Sequence, residues 1–249
     1  MKKKIILLSI AAILLCLSAI SATVAYFQDT EYKGNVMTVG RVKIMQTEYQ
    51  RDANDDIEEF ANDKPLRPVT ADVAEELKFG GNTYEVFDTD YCYVDKIVTV
   101  TNIGNVDAYV RTIFAFEMEY ADGEWKNPIA ENHLGLVDSK LNGTGIIWPK
   151  EDGKDVCFER DGVRYVVGLY YYANDSVLAV GEESHASLLQ TYLYGHVDDW
   201  NDVVGDTYDI LVLSQGVQTA GLDSAEEACN KTFGTVNAQN CTNWFANAA

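Results

Sequence analysis

The acidic stretch YQRDANDDIEEFANDKPLRP (Tyr49 to Pro68) carries Asp52, Asn54 and Asp56 at alternate positions, the spacing of the first oxygen ligands of a calcium loop. Such a loop turns at a glycine in its sixth position and closes with a bidentate glutamate in its twelfth. Here those positions hold Ile57 and Asp63, so the stretch reads as a solvated acidic loop, with a weak extracellular calcium site as the alternative. A second segment, HVDDWNDVVGDTYD (His196 to Asp209), sets five acids beside a His and a Trp. No companion motif fixes a ligand geometry there, and a polar loop between strands is the simpler reading. The three histidines, His133, His185 and His196, are scattered, and no HExxH, GxSxG or glycine-rich phosphate loop occurs. With neither a zinc set nor a nucleophile and its base, the expectation is a non-enzyme with no catalytic residues, metal or cofactor. The tyrosines of GLYYY (Gly168 to Tyr172) could stack on a carbohydrate, but they are more simply the half-buried residues of a strand.

The N-terminus directs how the cysteines are read. MKKK is a basic lead, Ile5 to Ile20 is an apolar run, and SATVA offers small residues for a cut between Ala25 and Tyr26. No charge occurs from Ile5 through Phe27, so the same run is long enough to serve as an uncleaved membrane anchor. Either way the remainder is expected to be exported, secreted or held at the cell surface. Beyond Cys16 four cysteines remain, Cys92, Cys157, Cys229 and Cys241. An even number in an exported chain favours disulfides. Cys229 and Cys241 form the easiest pair, leaving Cys92 with Cys157 by elimination; four buried free thiols are the alternative.

The formal charge is −20, and removing residues 1–25 leaves 16 basic residues against 39 acidic, a net −23. A surface of that sign repels phosphate backbones and excludes nucleic acid as a partner class.

Most segments that would position these residues read as strands. In DAYVRTIFAFEMEY (Asp107 to Tyr120), Ala108, Val110, Phe114, Phe116 and Met118 fall on one face, with Arg111, Glu117 and Glu119 on the other. Asp122-Gly123 and Asp161-Gly162 supply hairpin turns. KIVTVTN, HASLLQTYLYG and TYDILVLSQ add further alternating runs. LDSAEEACNKTFG reads as a helix capped by Asp223, with Glu226 three residues on, Lys231 in the last turn and Gly234 just past it. TADVAEELKF carries a second helical pattern. The pattern predicts an all-β antiparallel sandwich with a few short peripheral helices, organised as a leader (1–25) and a single domain (26–249).

One stretch adds a resemblance. ATVAYFQDTEYKGNVMTVGRVKI resembles the leader-to-mature junction of the TasA/camelysin family of exported Gram-positive proteins, which are processed by a SipW-type signal peptidase. Ala25, Phe27 and Asp29 match the family's A-x-F-x-D; Asn35 and Gly40 match its N-x-F-x-x-G, with Met37 in place of the aromatic. VTVTNIGNVDAYVR is similar to its N-x-G turn through Asn102, Gly104 and Arg111, and SQGVQTAG before a short helix is similar to its C-terminal end. The resemblance implies a jelly-roll β-sandwich and a structural protein of the biofilm matrix. It implies self-assembly into fibres, in which the mature N-terminal segment completes a neighbour's sheet. The donor would be Tyr26 to about Val39, docking through Tyr26, Phe27, Tyr32, Val36 and Met37. The partners implied are further copies of the chain, the signal peptidase during export, and other matrix proteins. Two other readings stand beside it: a surface-anchored binding module with an uncleaved N-terminal helix, and a camelysin-like metallopeptidase.

Overall fold

A computed structural model describes residues 28–29, 41–52, 54, 56–60, 68–69, 76–85, 92–131, 134–137, 145–172, 177–193 and 208–246. Two antiparallel sheets face each other as a β-sandwich. Across its width, sheet one consists of β1 (Gln28–Asp29), β17 (Ile210–Gln218), β8 (Ala108–Glu117), β15 (Val163–Tyr171) and β14 (Cys157–Arg160). Sheet two consists of β11 (Leu134–Val137), β16 (Leu188–Leu193), β7 (Cys92–Asn102), β2 (Ile44–Arg51) and β3 (Ile57–Glu59), and β4 (Pro68–Val69) also pairs with β7. The chain crosses repeatedly between the two: β7 lies in sheet two, β8 in sheet one, β15 in sheet one, β16 in sheet two, β17 in sheet one. This is the all-β sandwich that the alternating pattern predicts, with a jelly-roll-like path.

Short hairpins complete the strands: β5 (Glu76–Phe79) with β6 (Asn82–Glu85), β9 (Glu119–Ala121) with β10 (Glu124–Lys126), and β12 (Lys150–Glu151) with β13 (Lys154–Asp155). Both predicted Asp-Gly turns are present. Asp122 and Gly123 have φ of 55° and 84°, and Asp161 and Gly162 have 52° and 83°. Paired positive φ values match the right-handed twist of the strands they join, and Asp and Gly tolerate them best. A third turn of the same kind, Asp152-Gly153, joins β12 to β13.

Between the sheets Phe114 and Phe116 of β8 meet Val166 and Tyr170 of β15, Val98 of β7 and Leu188 of β16. Burial of each large apolar side chain here contributes about 1.5–3 kcal/mol. The opposite face of β8 is not the polar face that its charged residues suggest. Ile113, Ala115 and Arg111 are all fully buried there, because helices cover sheet one from outside. These are α1 (Ala225–Phe233) and α2 (Ala238–Phe245). The N-cap of α1 is Ser224, one residue after the expected Asp223, with its hydroxyl accepting the Glu227 N–H at 3.1 Å. Gly234 ends the helix at φ 95°, as its position predicts. Asn237 caps α2, accepting the Asn240 N–H at 2.8 Å, so the segment carrying Cys241 is a helix rather than a loop.

Sheet two is also covered from outside. The segment ELKF, expected to be helical, is strand β5, folded back on β6 through Gly80-Gly81. Leu77 of this hairpin is completely buried against Ile97, Ala186 and Leu189.

Cys157, Cys229 and Cys241 are free thiols, and the expected Cys229–Cys241 bridge is not formed. Each helix turns its cysteine into a separate part of the core. Cys229 packs with Tyr109, Val217 and Ala228, whereas Cys241 packs with Ile113, Phe158 and Phe245. Burial pushes both thiols up to about 12, with Arg111 opposing the shift, so both stay protonated and inert. Cys157 sits on β14 of sheet one and Cys92 begins β7 of sheet two, and the pairing by elimination is not formed either.

Candidate functional site

The feature of this fold best suited to binding another chain is the outer edge of β17. Its sequence, ILVLSQGVQ, contains no charge and no proline. One side of the strand is paired with β8 along its whole length, from Ile210↔Phe116 to Gln218↔Ala108. On the other side the described pairing is with β1 alone, Gln28↔Val217 and Asp29↔Gly216, antiparallel. Among the described residues, no strand pairs with the outward main chain of Ile210 to Gln215, and these residues, from Ile210 through Ser214, are only half-buried. Long uncharged edges of this kind are templates for strand addition.

Local contacts hold the edge in place. At its start the Tyr208 hydroxyl donates to the Glu117 carbonyl at 2.8 Å, and the Asp209 N–H donates to the Glu117 carboxylate at 2.9 Å. Desolvation raises the Tyr208 hydroxyl far above its ordinary pKa, and the neighbouring Glu117 and Glu119 add to the shift. The Tyr165 hydroxyl, 3.4 Å from Asp209, is pushed up to about 12, first by burial and then by the charge of Asp209. Both phenols therefore remain donors. In mid-strand Ser214 bridges to Gln46 of β2 at 2.8 Å and to Thr112 of β8 at 3.0 Å. Gly216 allows the close approach of β2, since a Cβ there would lie 2.7 Å from the Ile44 side chain.

Of the candidate donor segment, only Gln28 and Asp29 are described. Ala25, Tyr26, Phe27, Tyr32, Val36 and Met37 lie outside the described residues, as do His133, Asp63 and the segment from His196 through Thr207. The calcium-like spacing has a structural use. Asp52 Oδ1 accepts the N–H groups of Asn54 (2.7 Å) and Asp56 (3.0 Å), closing the turn between β2 and β3. Asn102 and Gly104 are likewise structural. The Asn102 amide donates to the carbonyls of Val106 and Leu178, both at 2.9 Å, and accepts the Gly104 N–H at 3.0 Å. A Cβ on Gly104 would lie 2.5 Å from the Arg41 carbonyl.

Arg111, a residue of the same motif, anchors the helices. Its Nε donates to Gln215 at 2.8 Å, Nη1 to Asn230 and Nη2 to the Gly234 carbonyl, both at 2.9 Å. Its guanidinium lies over the rings of Phe233 and Trp244, 5.8 and 5.1 Å from their centres. Sequence reading missed this role and that of the β17 edge. Gln215 and Arg111 sit directly opposite each other across the β17–β8 ladder, a pairing visible only once the strands are aligned. Among the described residues there is no group of His, Cys, Asp and Glu suited to a metal ion, and no helix long and apolar enough to cross a membrane. No protein-family model, no curated protein and no solved structure matches this chain.

Proposed function

We propose that this chain is an exported structural protein of a bacterial extracellular or biofilm matrix, cut between Ala25 and Tyr26, which self-associates by exchange of its N-terminal segment. The observation that carries the reading is the β17 edge: a long, uncharged strand whose described outer partner is two residues of that same segment. The resemblance of Ala22 to Ile44 to the TasA/camelysin junction points the same way. Continued antiparallel from Gln28↔Val217, a segment donated by a second copy sets Tyr32 opposite Leu213 and Gly34 opposite Leu211. Main-chain hydrogen bonds supply affinity in such an addition, and alternate side chains supply register. At −23, copies repel one another, so assembly is expected to be favoured by calcium or by acid, which lower that charge.

N-terminal sequencing of secreted material tests the cut: Tyr26 is expected, and intact Met1 recovered only from membranes overturns it. Removing residues 26–39 from the secreted form is expected to leave a folded domain that makes no filaments under the electron microscope. Undiminished filaments would sink the exchange mechanism.

A further inference from the structure

Hairpin β5–β6 overhangs the loop that precedes β16 and leaves a cavity of about 450 Å³. That volume is typical of small-molecule sites, which run from about 300 to 1,000 Å³. Its walls are aromatic: Tyr49 from β2, Phe79 and Tyr84 from the hairpin, and Tyr172 just beyond β15. The Tyr49 and Phe79 rings lie 5.4 Å apart at 51°. Glu182, Glu183 and His185 add titratable groups beside the neutral Asn82 and Ser184, and among the described residues no Lys or Arg belongs to the lining.

Both carboxylates are exposed yet fixed. Glu183 Oε1 accepts from the Tyr49 hydroxyl at 3.1 Å and from Thr99 Oγ1 at 2.7 Å. Glu182 accepts from the Tyr172 hydroxyl at 3.4 Å and from the Ala179 N–H at 3.0 Å. A carboxylate has about four lone-pair sites, so acceptor capacity remains on both. His185 contributes no opposing charge. Its ring contacts the Tyr170 hydroxyl and lies 4.9 Å from the Tyr172 ring, and burial holds it toward the neutral form against the pull of Glu182.

We infer that this cavity binds a small organic cation, an ammonium group carried on an apolar body. Two negative charges and four aromatic rings, without a cationic side chain, complement such a group in charge and in polarity: ring faces attract cations, and the carboxylates neutralise them. A neutral sugar would use the rings and leave the two charges unanswered. The site is independent of strand exchange at β17.

Calorimetric titration of the full chain with choline, and with its uncharged isostere 3,3-dimethylbutan-1-ol, tests the inference. Saturable choline binding at one site is expected, at least about tenfold tighter than the isostere. Glu182→Gln, at an exposed position, is expected to weaken choline about tenfold with an unchanged melting temperature, and Tyr172→Ala by a similar factor. Glu124→Gln, exposed on hairpin β9–β10, is expected to change nothing. Equal affinities for choline and its isostere would overturn the inference, as would choline binding that Glu124→Gln weakens as much as Glu182→Gln. Tighter binding of a neutral oligosaccharide, lost in Tyr172→Ala and untouched in Glu182→Gln, would assign the cavity to sugars instead.

Discussion

Each sheet of the sandwich has an outer cover, and beneath each cover lies a buried arginine, but the two guanidiniums are compensated in different ways. Under hairpin β5–β6, Arg51 forms a two-pronged ion pair with Asp95, Nε to Oδ2 at 2.7 Å and Nη2 to Oδ1 at 3.0 Å. Gln190 donates to the same carboxylate at 2.7 Å, and Arg51 Nη1 reaches the Glu76 carbonyl of the hairpin at 3.3 Å. Under α1 and α2, the hydrogen bonds of Arg111 go to two side-chain amides and a main-chain carbonyl, and two aromatic faces flank it. The first arrangement centres on a charge and its counter-charge on neighbouring strands, which could be removed together, although Gln190 and the Glu76 carbonyl also bond to the pair. The second spreads its acceptors over strand, helix and loop, so the cation cannot be removed without orphaning groups in all three. An ion pair holds the hairpin cover, and a lone cation organises the helical one.

That difference predicts opposite responses to substitution. The largest effect is expected from Asp95→Ala, which strands Arg51 as a buried, uncompensated cation at a cost of about 3–5 kcal/mol in urea unfolding. The double replacement Arg51→Met with Asp95→Leu is expected to recover most of that loss, because a buried pair barely outweighs its own desolvation. If the double variant is as unstable as the single one, the two charges cannot be removed together and the contrast fails.

Arg111→Met is expected to cost about 2–3 kcal/mol, since it leaves three acceptors under the helices without their donor. Arg111→Lys is expected to restore little, because an ammonium has neither the fork nor the flat face that this site uses. Thiol labelling sharpens the comparison: loosening of the helical cover should expose Cys229 and Cys241 in Arg111→Met and leave them protected in the Arg51/Asp95 double variant.

The smallest effect concerns pH and belongs to the hairpin cover. Burial lowers the pKa of His185 below its ordinary value near 6.5, so protons bind the unfolded chain first. The contribution of this residue to stability is therefore complete above about pH 6.5 and is lost as pH falls toward the folded-state pKa. Urea midpoints of the protein and of His185→Gln, compared between pH 8 and pH 5, should converge on acidification. Parallel pH curves would remove His185 from the account.

Much of the sandwich was legible because strand signals are local. Alternation in β8, the β-branched runs of β7 and β17, and Asp-Gly pairs between strands follow from backbone sterics and side-chain period. The covers were less legible. TADVAEELKF has helical residue types, yet Leu77 and Phe79 lie with the hydrophobic cluster on sheet two, and the Gly80-Gly81 turn lets the chain fold back as a hairpin. In the last segment the signal was an Asn cap followed by Cys241, Trp244 and Phe245 at helical spacing, too short a stripe to separate from a loop by periodicity alone.

Sequence alone therefore determined what depends on neighbours along the chain: the strand pattern, the tight turns, the stop of α1 at Gly234, the strong negative charge and the apolar run near the N-terminus. Tertiary structure decided what depends on neighbours across it. Strand pairing turned Arg111 from a surface charge into a buried anchor, helix packing sent Cys229 and Cys241 into different clusters, and sheet order set β17 between β8 and the two described residues of β1. The physical reason is that burial and unpaired main chain are properties of which strands and helices adjoin, and no single segment carries that information.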